Sequence, residues 1–431
     1  MKKYNKNKNV YVASNERIDF VFKNFNKIYM SFSGGKDSGV MLNLILDYMK
    51  KNNIKNKIGL MILDNEANYE YSLKFMHKII KQNLKYLDVY WCCLPITLPC
   101  TVSSYEIDWQ CWGTKDEKRW IRPMPKEKYI TNIDNHKFNF FKENMLYDEF
   151  WDKFGEWYSK GEKCANFIGI RTDESLNRFR AIMNKNKTMI NNYHWTKKNT
   201  KNCYNIYPIY DWRTEDIWIA NEKFNWMYNE LYDVFWKAGL SVAQMRVASP
   251  FMSESKSSLN LYRVIDGHVW SRLCARVSGA NFIATYGKQL TYKSFSLPEN
   301  HTWKSFTKFL LKTLPSNSSV NFNKRFIQSI KYWWRVGRGL PEEVIKDLKE
   351  NNIDFRLGEK TRHGNKDKTC VRMLPPDHLD MLKCHNSEVT SWKRFVITIL
   401  KNDHTCKYLG LAPTHEQAKR QKEIQLKYKN V

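Results

Sequence analysis

The sequence predicts an α/β fold: a doubly wound, mainly parallel sheet followed by an α-helical C-terminal domain. Three observations carry this. Short apolar runs at 27–32, 57–63 and 87–94 alternate with stretches of helical period. A glycine-containing turn, Ser33 to Ser38, joins the first run to the first helical stretch. Beyond Ser294 the apolar residues keep a helical spacing. Strand–helix–strand–helix–strand at such intervals is the signature of parallel strands joined by helical crossovers.

In order along the chain, a basic tip precedes a short helix expected over 15–26. The run from Lys27 to Phe32 reads as a buried strand stopped by Ser33, Gly34 and Gly35. Val40, Met41, Leu44, Ile45 and Tyr48 then fall on one helical face. A second strand, 57–63, ends at Asp64. A helix over 68–81 follows, with Tyr71, Phe75 and Ile79 on one side, and a third strand runs from 87 to 94. The stretch from Gly113 to His136 carries charges and prolines and reads as an insertion or lid. A helix over 142–158 precedes a strand over 165–170, which leads into Gly169 and Arg171 and a helix through Arg178, Phe179 and Ile182. The polar stretch 185–202 reads as a loop. A strand over 204–210 ends at Asp211 and Trp212, and Thr214 is the expected N-cap of the next helix. The region 223–287 is expected to be mostly helical. The expected organisation is a tip and helix over 1–26, an α/β domain over 27–290 with an insertion over 113–160, and a helical domain over 291–431. No internal repeat is visible.

The bulk numbers narrow the function. The 431 residues hold 71 Lys plus Arg against 44 Asp plus Glu, a formal charge of +27. That excess suits a polyanion such as nucleic acid, and it also suits a lysine-rich composition produced by AT-biased coding. No apolar run is long enough to span a membrane and no secretory leader is visible, so a cytoplasmic protein without membrane contact is expected. Ten cysteines occur without a Cys-x-x-Cys pair, so buried free thiols are expected and no metal site. The C-terminal stretch 415–429 mixes both charge signs and reads as a solvated helix rather than a DNA arm. No helix–turn–helix or zinc-finger spacing supports reading of base sequence.

The most informative residues are Ser33, Gly34, Gly35, Lys36, Asp37 and Ser38. The first turn of a helix presents unpaired N–H groups to an anion, and its dipole favours negative charge. Glycines let the backbone approach a phosphate. Ser33 and Ser38 add hydroxyl donors and Lys36 a point charge. The Walker A spacing is absent. Asp64, Glu66, Arg171 and Asp211 all follow expected strands, and ligands of parallel sheets collect at the carboxyl ends of strands.

These residues bear a family resemblance. Ser33 to Ser38 resembles the PP-loop of the ATP pyrophosphatase and PAPS (phosphoadenosine phosphosulfate) reductase superfamily. Gly169 to Ser175 with Arg178, and Tyr207 to Trp218, resemble two further blocks of PAPS-reductase-like proteins. Met245 to Phe251 and Ile399 to Asp403 are similar to a bacterial and phage subgroup that includes the immunoglobulin-binding regulator A type, carries an uncharacterised C-terminal domain and is often encoded beside a ParB-like protein. The resemblance implies an adenine nucleotide alpha hydrolase-like fold. It implies that Ser33 to Ser38 and Asp64 bind ATP, or a PAPS-like nucleotide, with Mg²⁺. It further implies that Arg171 and Arg178, steadied by Glu174, bind a second anionic group, with Glu66, Asp211 and Trp212 lining the site. Against this stand plainer explanations: a solvent-facing pair for Glu174 and Arg178, and a helix cap with a core tryptophan for Asp211 and Trp212.

One departure redirects the chemistry. PAPS reductases use a cysteine in a Glu-Cys-Gly motif, and no such motif occurs in this sequence. Cys384 and His385 are adjacent, but neighbours on a helix diverge. Adenylyl transfer to an unidentified acceptor, within sulfur metabolism or elsewhere, is therefore the first expectation. A nucleotide- or sulfonucleotide-sensing regulator that binds DNA or a ParB-like partner is the alternative. DNA sulfur modification is a third, disfavoured by the cysteine spacing.

Overall fold

The computed structural model describes residues 8–242, 244–252, 255, 259–286, 295–360, 368–382 and 389–411. The expected tail helix over 415–429 and the Cys384–His385 pair lie outside the described residues. The chain divides into two compact units. The first comprises Met1–Leu98, Gln110–Pro250 and Ser257–Arg276; the second comprises Pro99–Trp109, Phe251–Lys256 and Val277–Val431.

In chain order the first unit opens with α1 (Val10–Asn24), β1 (Lys27–Ser31), α2 (Lys36–Lys51), β2 (Ile58–Leu63), α3 (Glu70–Asn83) and β3 (Leu87–Cys92). Short strands β4 (Ile96–Pro99), β5 (Asp108–Cys111), β6 (Ile130–Thr131) and β7 (Met145–Leu146) follow, of which Pro99, Asp108 and Trp109 are counted in the second unit. Then come α4 (Tyr147–Ser159), β8 (Cys164–Ile168), α5 (Leu176–Met183), β9 (Thr196–Lys198), β10 (Cys203–Ile206), α6 (Thr214–Lys223), α7 (Leu231–Lys237), α8 (Leu261–Ile265) and α9 (Gly267–Arg276).

The central sheet has seven strands in the order β6-β3-β2-β1-β8-β10-β9. Every pairing is parallel except β10 with β9. This is the doubly wound arrangement that the sequence predicts. Strands covered by helices on both faces need apolar residues at successive positions, which is why Tyr29 and Met30 on β1 and Leu60 and Met61 on β2 are all buried. From β1 the chain steps to β2 and β3 on one side, then returns to β8 and β10 on the other. The order therefore reverses between β1 and β8. At such a switch point the flanking loops leave the sheet in opposite directions and open a crevice at the strands' carboxyl ends.

Several boundaries differ from expectation, each for a local reason. Helix α1 starts at Val10 rather than Asn15, because the Asn9 side chain caps it by accepting from the Tyr11 N–H at 2.8 Å. Strand β10 stops at Ile206, short of Pro208, whose ring carries no N–H for the ladder. Helix α6 is capped by Arg213, one residue before Thr214, with the Asp216 carboxylate accepting from the Arg213 N–H. The expected loop 185–202 contains edge strand β9, which pairs antiparallel to β10. Lys187 folds back there, its Nζ donating to the carbonyls of Ile182 and His194. The insertion is not only a lid, since β6 extends the sheet beside β3. Among the described residues between 223 and 286 the helices are short.

The second unit holds α10 (Ala280–Tyr286), α11 (Trp303–Thr313), α12 (Ser316–Arg335), β11 (Arg338–Leu340), α13 (Glu342–Glu350), β12 (Arg356–Lys360), β13 (Thr369–Arg372) and α14 (Trp392–Leu400). It is helix-rich, as expected, and adds an antiparallel sheet β11-β13-β12 that periodicity did not predict. Its core joins Trp333 of α12 with Leu340, Val344, Leu348 and Val371. Phe326 stacks on Phe395 with ring centroids 4.4 Å apart. The distant stretch 99–109 belongs to this unit: the Ser318 hydroxyl donates to the Ser104 carbonyl at 2.5 Å, and His404 Nε2 lies 2.9 Å from the Ser103 carbonyl. Among the described residues, no helix is long and apolar enough to cross a membrane.

Candidate functional site

The crevice between β1 and β8 receives two loops, Ser33–Ser38 after β1 and Gly169–Ser175 after β8. Each loop depends on a glycine. Gly34 has φ +70°, the left-handed region that L side chains rarely adopt, and a Cβ there would lie 2.8 Å from Met76 Sδ. Gly169 is packed so closely that a Cβ would sit 3.0 Å from the backbone of both Asp37 and Ser38. The second loop thus rests directly on the first turn of α2.

Within the first loop the Ser33 and Ser38 hydroxyls lie 3.0 Å apart, and Ser38 Oγ donates to the Gly35 carbonyl at 3.1 Å. Gly35 is the N-cap of α2 and supplies no side-chain cap, so the first-turn N–H groups need partners from elsewhere. One finds the Tyr232 hydroxyl, which accepts from the Lys36 N–H at 3.0 Å. Asn229 Nδ2 donates to the Gly34 carbonyl and to Ser72 Oγ, each at 2.9 Å. Asn229 and Tyr232 therefore brace the loop from the start of α7.

The charged groups form a tight set. Asp37 meets Arg171 Nε at 2.5 Å and Lys36 Nζ at 3.2 Å. Arg171 is 1% exposed, and its Nη1 reaches the Trp212 carbonyl at 3.4 Å and Asp173 at 3.7 Å. Burial pushes the Lys36 ammonium below its ordinary range; Asp37 opposes the shift, while Arg171 and Arg246 add to it. Lys36 and Arg171 are thus met by two carboxylates, Asp37 and the more distant Asp173, so the local charge is close to balanced and the anion-binding character of the loop rests on its helix-turn donors and hydroxyls.

Glu174 and Arg178 pair across one turn of the loop–helix junction, with Arg178 41% exposed at its side chain. Arg246 Nη2 donates to the Glu174 carbonyl at 3.0 Å, bringing a third arginine to this loop. Helix α5 is capped by Ser175 Oγ, which accepts from the Arg178 N–H at 3.2 Å.

The remaining sequence-predicted residues are bonded elsewhere. The Asp64 carboxylate accepts from Trp91 Nε1 at 2.7 Å, from the Glu66 N–H at 2.8 Å and from Arg122 Nη2. Glu66, at φ +68°, accepts from the N–H groups of Trp112 and Ile121, each at 2.7 Å, and burial raises its pKa. Both carboxylates thus tie the insertion to the end of β2. Asp211 grips Arg17 of α1 through two bonds, 2.8 and 2.6 Å. Trp212 Nε1 donates to Ser14 Oγ at 2.8 Å. This pair fastens α1 to the sheet.

Sequence reasoning missed Tyr232, Asn229, Arg246 and Arg122. Arg246 lies in the Met245–Phe251 block, so its block was noticed without its side chain. The others reach their partners through tertiary packing that leaves no local pattern.

The loop fits a nucleotide's phosphates: it has helix-turn donors, two hydroxyls, a lysine and glycine backbone. It does not fit a protein-held Mg²⁺. Asp37 and Asp64 are both engaged by cations, and the described residues contain no cluster of three or more His, Cys, Asp or Glu side chains suited to a metal.

Residues 27–238 match the model of the phosphoadenosine phosphosulfate reductase domain, and residues 239–420 match a domain of unknown function, DUF3440. A curated relative is the uncharacterized protein YbdN of Escherichia coli strain K12, 29% identical over 416 residues that cover 94% of this chain and 91% of that protein. Similar solved structures include Candida glabrata FMN adenylyltransferase in complex with ATP, at 16% identity and a TM-score of 0.31, covering 52% of this chain and 57% of that one. The PAPS reductase of Candida auris, in a phosphate complex, has 14% identity and a TM-score of 0.28, covering 52% of this chain and 84% of that one. The chain is thus similar to the PAPS reductase domain over 27–238, the part that holds the mainly parallel sheet, and to DUF3440 over 239–420.

Proposed function

We propose that the PP-loop holds the phosphates of ATP, or of a PAPS-like nucleotide, and that the protein transfers an adenylyl group to an acceptor. The observation that carries this is the position of Ser33–Ser38: a glycine-bearing helix N-terminus with Lys36 beside it, at the switch point of the sheet. In the proposed step an acceptor oxygen attacks the α-phosphorus. The new O–P bond forms as the α–β bridging bond breaks, pyrophosphate leaves with that electron pair, and the acceptor's proton passes to solvent. With the loop holding the nucleotide's phosphates, Lys36 and the first-turn N–H groups not taken by Tyr232 would meet the charge growing on the departing pyrophosphate and favour the transition state over the ground state. Arg171 holds Asp37, and through it Lys36, by its ion pair.

Thiol chemistry of the reductase kind has less support. The sequence lacks Glu-Cys-Gly. Of the nine described free cysteines, eight are buried and Cys274 is half-buried. Burial raises the thiols of Cys92, Cys93 and Cys111, holding them protonated and unreactive.

The test incubates purified protein with ATP labelled at the α-phosphate and a small-molecule and macromolecular fraction of cell extract. Pyrophosphate release and label transfer are expected for the native chain and not for Lys36→Ala. Equal release by both proteins would overturn the proposed chemistry.

A further inference from the structure

The charge of +27 is not spread evenly. From Asn300 to Pro341 the chain carries eight basic residues, Lys304, Lys308, Lys312, Lys324, Arg325, Lys331, Arg335 and Arg338, and no Asp or Glu. Coding drift toward lysine explains the bases but not the missing acids, because the same drift admits Asp and Glu. The first seven lie on α11 and α12 of the second unit, and Arg338 begins β11.

The folded helices sort the charge by face. On α12, Phe322, Phe326, Ser329 and Trp333 are buried. At 3.6 residues per turn, about 100° each, Lys324, Lys331 and Arg335 point within about 40° of one another, on the side opposite that apolar stripe. All three are exposed. On α11, Lys304, Lys308 and Lys312 recur every four residues, so they also form one exposed line. None of these six cations makes an ion pair with a described residue. Asp377, the acid beside α11, is engaged as an acceptor for the Trp303 and Lys304 backbone N–H groups.

Aromatic rings lie among the charges. Tyr332 and Trp334 are each 42% exposed, and Arg356 lies over the Trp334 ring at 5.0 Å from its centroid. Arg356 thereby adds a further exposed cation beside the Trp334 ring. An uncompensated basic stripe with exposed rings matches the needs of a polyphosphate backbone whose bases can stack. It matches an anionic membrane less well, because the apolar side of α12 is already committed to the unit's core.

We propose that the exposed face of α12, with Lys324, Lys331 and Arg335 as its phosphate contacts and α11 alongside, binds nucleic acid through the backbone and without base-specific readout. This surface is independent of the nucleotide site, and the two claims fail separately.

The experiment uses the full chain. Fluorescence anisotropy follows a labelled oligodeoxythymidylate, a duplex of equal length, and vesicles of phosphatidylcholine with phosphatidylserine, across about 50–300 mM NaCl. The face variant is Lys324→Gln/Lys331→Gln/Arg335→Gln. A control with the same charge change is Lys51→Gln/Lys55→Gln/Lys57→Gln, three exposed lysines of the first unit. A second face variant, Lys308→Gln/Lys312→Gln, guards against misfolding of the first. The expected result is binding that falls with salt. The α12 variant weakens it roughly tenfold or more and flattens the log–log slope by about 2–3, while the control changes it little. Tighter binding of the single strand than of the duplex is expected from the exposed rings. No binding at low salt, equal losses in face and control variants, or stronger capture by the vesicles would overturn the proposal.

Discussion

At the residue scale, the site turns on Lys36 and the backbone that carries it. Lys36→Ala should leave the fold intact and weaken nucleotide binding by about tenfold or more, since a desolvated charge-assisted contact to phosphate is worth roughly 1.5–3 kcal/mol. The lowered pKa of Lys36 gives this contact a pH signature. A lysine with a depressed pKa loses its proton earlier as pH rises, so anion affinity should begin to fall below pH 10.5, the ordinary lysine value. Calorimetric titration across alkaline pH checks it; in Lys36→Ala that part of the profile should vanish. Gly169 offers a second check. Its missing Cβ would lie 3.0 Å from the backbone of Asp37 and Ser38, which cannot step aside as a flexible side chain would. Gly169→Ala should cost about 1–3 kcal/mol in denaturant unfolding and distort the PP-loop.

At the scale of elements, buried ion pairs set where segments dock. Arg17 and Asp211 are 9% and 4% exposed at their side chains. Asp211→Ala would leave a buried guanidinium unpaired beside the Pro208 carbonyl, so a loss of about 3–5 kcal/mol is expected, with α1 the first element to lose amide protection. Asp211→Asn should cost less, since one acceptor remains. These pairs also explain what the sequence did and did not disclose. Strands β1, β2, β3 and β8 and helix α2 were legible because both-face burial writes itself as a continuous apolar run and a crossover helix as a 3.6-residue period. The PP-loop was legible because its glycines and hydroxyls are contiguous. Asp64, Glu66 and Asp211 were recognisable as acids at strand ends, yet their partners, Arg122, Trp112 and Arg17, lie far away in the sequence, and no local pattern couples them. Strands β9 and β11–β13 were hidden because runs of three to five residues are too short to establish an alternation.

At the scale of the whole molecule, the two units are not consecutive pieces of chain. Pro99–Trp109 belongs to the second unit, where Ser103 and Ser104 meet His404 and Ser318. A fragment beginning at Val277 lacks those partners and should melt at lower temperature than the same region within the full chain. Circular dichroism of the fragment, with and without a peptide spanning 99–109, would show it; a fragment as stable as the full chain would contradict the division. The net charge divides similarly. Lys36 and Arg171 belong to the site at the sheet's switch point, whereas the acid-free stretch 300–341 lies in the other unit, so on the two proposals salt should weaken nucleic-acid binding far more than nucleotide binding. On the proposed function, the helix N-terminus at the switch point holds a nucleotide's phosphates. Its most direct test is calorimetric titration of the purified chain with ATP and with PAPS. One nucleotide bound per chain, with affinity lost in Lys36→Ala, is the predicted result. No binding of either nucleotide, or binding untouched by Lys36→Ala, would contradict the account.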